Sequence, residues 1–371
     1  MEGVVTLDRS ADAPAPGKDA TNEALAKKVL VTGAEGYIGS VLTARLMARG
    51  HNVTGLDTGF YRAGWLFNDG HDRPKMMSRD SRTLTPEDLA GFDAVIHLAE
   101  LSNDPLGEHD PEKTYQINHQ GSVQLARNAK AAGVPRFIHM SSCSVYGAAG
   151  DEARIETSEL NPQTAYAKCK IMVERDVLPL ADATFAPTFL RNATAFGVSP
   201  RMRFDIVLNN LAGLAWTTKR IAMTSDGMPW RPIVHIQDIS TAILMTLDQP
   251  AEQVRGEIFN VGADANNYRI HEIADAVAQV FPECEVTYGK NDGDTRSYRV
   301  SFEKIGKVLP GFKCDWDVYR GARQLRAMFE HIAMTPEMFN AFPYTRVKEL
   351  QRLAKSNQLD PSLRWNSFDF S

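Results

Sequence analysis

The stretch KVLVTGAEGYIGS, residues 28–40, decides how the rest of the chain is read. Its first half is a short apolar run of β-forming residues. Gly33, Gly36 and Gly39 follow, and YIGSVLTARLMARG carries helical spacing with Gly50 placed as its stop. Glycines so spaced let the chain turn tightly, admit a pyrophosphate close to the backbone, and pack helix on strand. Free N–H groups at the helix start add partial positive charge for an anion. A strand before the loop and an amphipathic helix after it are the context that such a loop requires. Asp57 ends the next strand, HNVTGLD, 18 residues after Gly39. A carboxylate there can accept both ribose hydroxyls of NAD and repel the 2′-phosphate of NADP. It also suits a turn before Thr58 and Gly59.

Outward from this stretch, strands and helices alternate. FDAVIHLA is an apolar run, EKTYQINHQGSVQLARNAKAAG a helix and PRFIHMSS a strand. A helix over TAYAKCKIMVERDVLPLA and a strand at ATFAPTFLR come next. The alternation predicts an α/β fold: a doubly wound parallel sheet of the Rossmann type, covered on both faces, with a smaller C-terminal α/β substrate-binding lobe. Residues 1–27 read as a flexible tail, residues 28–200 as the dinucleotide domain, and residues 201–371 as the lobe with a C-terminal helical extension. The chain is expected to return to the first domain within residues 232–262.

The chain has 371 residues, 43% hydrophobic and 23% charged, enough to bury a core without disulfides or metals. With 41 Lys and Arg against 46 Asp and Glu, the formal charge is −5, so no global basic field suits nucleic acid. Cys143, Cys169, Cys284 and Cys314 form no C-x-x-C pair and lack a histidine cluster at zinc spacing, so no metal is expected. The absence of a basic, apolar leader and of a membrane-length apolar run points to a cytoplasmic protein without a membrane partner.

A chemical constellation follows the glycine loop. Ser142 lies in SSCSVYG, and Tyr166 and Lys170 lie in TAYAKCK. Residues i and i+4 project from one helix face, so Lys170 can sit beside the Tyr166 phenol and favour its anion. A tyrosine so placed can exchange a hydroxyl proton near neutral pH. Ser142 would hydrogen-bond the same substrate oxygen. A Y-x-x-x-K spacing alone is common by chance; its order after a glycine loop and a strand-end serine gives it weight.

At these motifs the chain resembles the extended short-chain dehydrogenases/reductases, in the NAD-dependent epimerase/dehydratase group acting on nucleotide sugars. The resemblance runs from about Lys28 to Leu309 and rests on VLVTGAEGYIGS, HLA (97–99), Asn118, SSCSVYG and NPQTAYAKCK. It implies that the glycine loop with Tyr37 and Ile38 cradles the pyrophosphate of NAD and that Asp57 takes the adenosine ribose. Asp80 and Ser81 would touch the adenine, Leu98 and Ala99 would line the cofactor, and Asn118 would support the site. Asn210 in LNNLAG, Arg231 before IVHIQD and Arg296 in GDTRSYRVS would hold the diphosphate of a nucleotide-sugar substrate. Guanidinium forks suit that task. Asn192 and Thr194 would contact cofactor or sugar, and a homodimer is expected.

The residues after Ser142 narrow the reaction. In the resembling 4,6-dehydratases an Asp-Glu pair follows the catalytic Ser or Thr, whereas Cys143 and Ser144 stand here. Cys143 could serve as an acid or base in a ring-carbon epimerisation, or be a small buried thiol. Glu100-Leu101-Ser102 replaces the lysine region of many 4-epimerases, and Glu100, Asp104, Glu108 and Asp110 read as a polar loop. The expected function is a nucleotide-sugar epimerase working through a transient keto-sugar. A sugar-nucleotide dehydrogenase, ketoreductase or dehydratase is the alternative, and a non-catalytic NAD sensor is a third reading.

Overall fold

The computed structural model describes residues 26–102, 110–290 and 296–366. Most of the expected tail, with Asp104 and Glu108, lies outside the described residues. In chain order the strands are β1 (Lys28–Thr32), β2 (Asn52–Asp57), β3 (Lys75–Ser78), β4 (Ala94–His97), β5 (Arg136–Ser142), β6 (Ala148–Arg154) and β7 (Ala186–Asn192). They continue as β8 (Thr194–Phe196), β9 (Arg220–Ala222), β10 (Trp230–His235), β11 (Ile258–Val261), β12 (Asn267–Arg269), β13 (Glu285–Thr287) and β14 (Ser297–Val300). Seven strands form one sheet in the order β11-β7-β5-β4-β1-β2-β3, parallel throughout.

The residues of β1 show why both faces of the sheet must be covered. Val29 and Val31 point into one core, with Leu42 and Leu46 of the helix Gly39–Ala48. Leu30 points the other way, toward Leu125 and Val173 of the helices Ser122–Ala131 and Ala165–Val177. Side chains alternate across a strand, so an unbroken apolar run needs a helix layer on each side. The strand order reverses between β1 and β4, and the carboxyl ends of the strands open a crevice there.

The helix Ile236–Asp248 packs on the sheet layer, where its Gln237 carbonyl accepts a hydrogen bond from Arg45, and β11 then joins the edge beside β7. The smaller lobe has its own core, shared by the helices Val207–Thr218, Ile270–Val280 and Val318–His331. Three small sheets flank it: β12-β10-β8, β13-β9 and β14-β6.

The C-terminal extension divides. The helix Val318–His331 packs within the lobe, but the helix Arg346–Lys355 and the tail after it cross to the dinucleotide side. There Leu350, Leu353, Leu359 and Leu363 form a separate cluster with Phe60 and Leu101. The expected lobe of residues 201–371 therefore does not hold as one unit: the leucines of this segment bury against loops after β2 and β4.

Three of the buried histidines, His97, His139 and His235, each disfavour the fold in acid. Burial pulls His97 and His235 down to about 3, and His139 well below 6.5. His235 accepts from the Gln237 amide at 3.1 Å and stacks on Trp316 with ring centroids 4.0 Å apart. Below a pH of about 6.5 the unfolded chain takes protons on these rings that the folded chain refuses, so their stability is complete above that pH and lost as pH falls. Buried Asp238, pushed up to about 7, and Asp57 and Glu100, also raised by burial, act in the opposite sense and offset part of this loss. We expect His235 by itself to cost about 1.4 kcal/mol of stability per pH unit as pH falls from about 6 to 4. Denaturant unfolding across that range should show a dependence on pH that His235→Gln shifts by that amount; an unchanged slope in the variant would refute the assignment of a neutral buried ring.

Candidate active site

A cleft of about 850 Å³ opens at the carboxyl ends of β1 and β4. Its floor is the glycine loop. Gly33 has φ +73°, and a Cβ there would lie 2.9 Å from the Ala99 nitrogen; at Gly39 one would fall 2.1 Å from the Gly33 carbonyl. Only glycines allow the loop to close this tightly on Leu98 and Ala99, which line the same cleft with Gly36 and Ile38. Tyr37 uses its hydroxyl within the protein, donating to the Gly197 carbonyl at 2.6 Å and accepting from Asn209 at 3.0 Å. Asp57 ties β2 to the loop, accepting from the Glu35 amide at 3.1 Å and the Gly59 amide at 2.8 Å. Burial pushes its carboxyl up. Asp80 and Ser81 also line it, with Asp80 in a half-buried ion pair with Arg82.

The opposite part of the cleft holds Ser142, Tyr166 and Lys170 together. Thr164 caps the helix Ala165–Val177 by accepting from the Ala167 amide at 3.2 Å, which sets where Tyr166 and Lys170 begin their shared face. One turn further on, Glu174 accepts from Arg191 at 2.6 Å and from Ser141 at 2.5 Å, pinning the helix to β5 and β7. The Lys170 ammonium stands 5.3 Å from the Tyr166 ring centre. It donates to the Met140 carbonyl and to the Glu100 carboxylate. Burial opposes the ammonium, but Glu100 outweighs it and holds Lys170 above its ordinary value.

Glu100 is the residue that sequence reasoning missed. It reads as the start of a polar loop, yet its side chain is 3% exposed. Its place between the buried strand β4 and the apolar Leu101 was the available signal. His97, Glu100 and His139 bring ligand-type atoms within 4.8 Å of one another. Lys170 already holds the carboxylate, however, and the His97 ring nitrogens meet Thr32 at 2.7 Å and Ser122 at 2.8 Å.

Asn192, Thr194, Arg231 and Arg296 also reach the cleft, and Arg231 donates to the Arg296 carbonyl. Three expected residues do not line it. Asn118, in a π-helical turn, bonds both backbone groups of Leu101 at 2.8 and 3.0 Å, so it fixes the segment after β4 and reaches no cofactor directly. Asn210 turns its amide to the Phe204 carbonyl at 2.9 Å, which leaves Ile206 and Val207 as the lining of that wall. Cys143 is fully buried, donates to the Arg191 carbonyl at 3.1 Å, and has its thiol pushed up by burial. A thiol so enclosed does not exchange protons with a ligand, which corrects its reading as an acid or base.

The family model described as "NAD dependent epimerase/dehydratase family" matches residues 29–262, the span that supplies most of this cleft. The chain belongs to that family. A UDP-glucose 4-epimerase of Mycolicibacterium smegmatis is 30% identical over 333 residues, 84% of this chain and 98% of that relative. The solved structure of MoeE5 in complex with UDP-glucuronic acid and NAD is 27% identical with a TM-score of 0.71, covering 82% of this chain and 99% of that one. TunA, an NAD-dependent NDP-hexosamine 5,6-dehydratase, superposes with a TM-score of 0.72 at 21% identity, covering 82% and 98%, a likeness of fold. The cofactor is NAD. The cleft fits it: the glycine loop, where a Cβ at Gly33 or Gly39 would collide with backbone, leaves the close cradle that a pyrophosphate needs, and Asp57 ends β2 beside it. Among the described residues no helix is long and apolar enough to cross a membrane.

Two outcomes test this geometry. Asp57→Asn should narrow the preference for NAD over NADP in calorimetric titrations, because it removes charge repulsion and keeps a polar side chain; an unchanged ratio would place the ribose elsewhere. Glu100→Gln should destabilise the ligand-free protein by about 3–5 kcal/mol, since it leaves the Lys170 ammonium buried beside a carbonyl alone. The added change Lys170→Met should recover much of that loss in a double-mutant cycle. A cost below about 1 kcal/mol would mean that the pair is not ionised.

Proposed function

We propose that the chain is a nucleotide-sugar epimerase that works through a transient keto-sugar, with Tyr166 as acid and base. The observation that carries this reading is the meeting of Ser142, Tyr166 and Lys170 in one cleft with the glycine loop. Bound NAD supplies the chemistry of accepting a hydride from the sugar carbon and returning it. Tyr166 takes the hydroxyl proton as the carbonyl forms and gives it back when the hydroxyl is restored. Ser142 holds the reacting oxygen by a hydrogen bond, which strengthens as charge grows there. Lys170, kept charged by Glu100, stabilises negative charge on the Tyr166 oxygen. Arg231 and Arg296, on the far wall, hold the substrate diphosphate.

The absence of carboxylates directly after Ser142 supports epimerisation over 4,6-dehydration. Cys143 is closed off, and Ser144 carries a hydroxyl instead of a carboxylate. Relatives called UDP-glucose 4-epimerases support the same reading, which comes to this chain as a substrate class, a nucleoside diphosphate hexose.

An accepted nucleotide sugar, deuterated at the reacting carbon, should equilibrate with its epimer and retain the label without added reductant. Tyr166→Phe should lower turnover by roughly 10²–10⁴ and leave folding intact. Steady NADH accumulation would instead indicate a dehydrogenase, loss of one water a dehydratase, and full activity in Tyr166→Phe would remove the assigned acid and base.

A further inference from the structure

The family match ends at residue 262, whereas the cleft has a wall built from the end of the chain. Thr345, Arg346, Val347 and Lys348 line it together with the glycine loop. The segment they open is anchored along the outer half of the cleft. Leu350, Leu353, Leu359 and Leu363 bury against Phe60 and Leu101, from the loops that follow β2 and β4. The Trp365 indole donates to the Thr58 carbonyl at 2.7 Å, one residue after Asp57, and its ring lies 5.9 Å from that of Phe60. Arg82, paired with Asp80, donates to the Ser362 carbonyl at 3.0 Å. The segment thus touches the same two elements that carry the expected ribose and adenine residues.

Arg346 is the feature that points to a ligand. It is 4% exposed, and its guanidinium lies 4.0 Å from the Tyr61 ring centre. Its donors go to carbonyls, at Pro343 (2.8 Å) and Arg201 (3.5 Å). Asp205, the carboxylate beside it, accepts from the Arg346 backbone amide at 3.3 Å and is paired with Arg203; among the described residues no carboxylate forms an ion pair with the Arg346 guanidinium itself. A buried cation that shares its only nearby carboxylate is costly unless a further anion completes it. Burial pulls Arg346 down to about 10, with Arg203 and Arg201 adding to the shift and Tyr61 and Asp205 opposing it. The glycine loop, with its helix start, supplies one part of a diphosphate site, and Arg346 lines the same cleft.

We propose that the C-terminal segment 345–366 is part of the NAD site: Arg346 contacts the diphosphate of the dinucleotide together with the glycine loop, and the Trp365 anchor holds the segment closed over the adenosine half. Enclosure of this kind slows release of the cofactor. An enzyme that returns hydride to the same carbon has use for such retention. The proposal depends on NAD as cofactor and not on the sugar chemistry, so it survives failure of the epimerase reading.

The test is binding by the full chain freed of cofactor. Arg346→Gln should weaken NAD and ADP alike by roughly 10–100-fold in calorimetry, the range for a charge-assisted hydrogen bond, and leave adenosine binding within about twofold. Trp365→Ala removes no charge; it should speed NAD dissociation, followed by stopped-flow displacement, by about tenfold. Denaturant midpoints of the ligand-free variants establish that each is folded. A folded Arg346→Gln that binds NAD and ADP as the parent does, or that loses adenosine equally, overturns the diphosphate contact. If Arg346→Gln fails to fold, the Trp365→Ala rate decides, and an unchanged rate overturns the enclosure.

Discussion

At Gly33 the backbone of β1 turns away from the sheet with φ +73°, at a point where a Cβ would strike the Ala99 nitrogen at 2.9 Å. This close approach of the chain after β1 to the chain after β4 is the constraint on which the cleft depends. Because the two strands diverge here to opposite sides of the sheet, the crevice opens between their ends and receives side chains from both. Asp57 then closes the loop from the β2 side, and Leu98, Ala99 and Glu100 form the β4 side. A side chain at Gly33 would push these apart and misplace every group that the cleft collects.

Around that opening the protein buries ionised groups in matched sets. Glu174 and Arg191 fix the helix that carries Tyr166 and Lys170 to the sheet, and Glu100 fixes the Lys170 ammonium itself. Low local polarity makes each pair demanding in geometry, since a missing partner leaves a charge uncompensated. The same condition turns neutral histidines into structural parts: His97 bridges Thr32 and Ser122 beneath the site, and burial keeps its ring neutral. Charge placement and the position of the reacting residues are one problem in this fold.

The contrast between Glu100 and Asp57 shows how far a one-dimensional reading reaches. Both are acidic residues at or just past a strand end. Asp57 was legible because its distance from the glycine loop follows from the βαβ geometry, which sequence spacing encodes. Glu100 was not, because its partner Lys170 lies 70 positions away and the pair exists only after β4, β5 and the helix Ala165–Val177 have packed. Cys143 and Asn210 err in the other direction. Each sits in a motif that resembles a functional one, but rotation about its strand or helix turns the side chain toward a backbone carbonyl instead of the cleft.

The sequence by itself determined the parallel sheet, the glycine loop and the shared helix face of Tyr166 and Lys170, because strand and helix periods and a tight turn are local properties of the chain. The last segment also carries leucines, at 350, 353, 359 and 363, and so has apolar surface to bury. Which part of the fold would receive it was decided by tertiary structure alone. Phe60 and Leu101 become an exposed apolar site only when the loops after β2 and β4 are brought side by side, and burial of Leu350, Leu353, Leu359 and Leu363 there carries Arg346 to the cleft. Local patterns fix what an element is, whereas long-range burial and charge pairing fix where it goes.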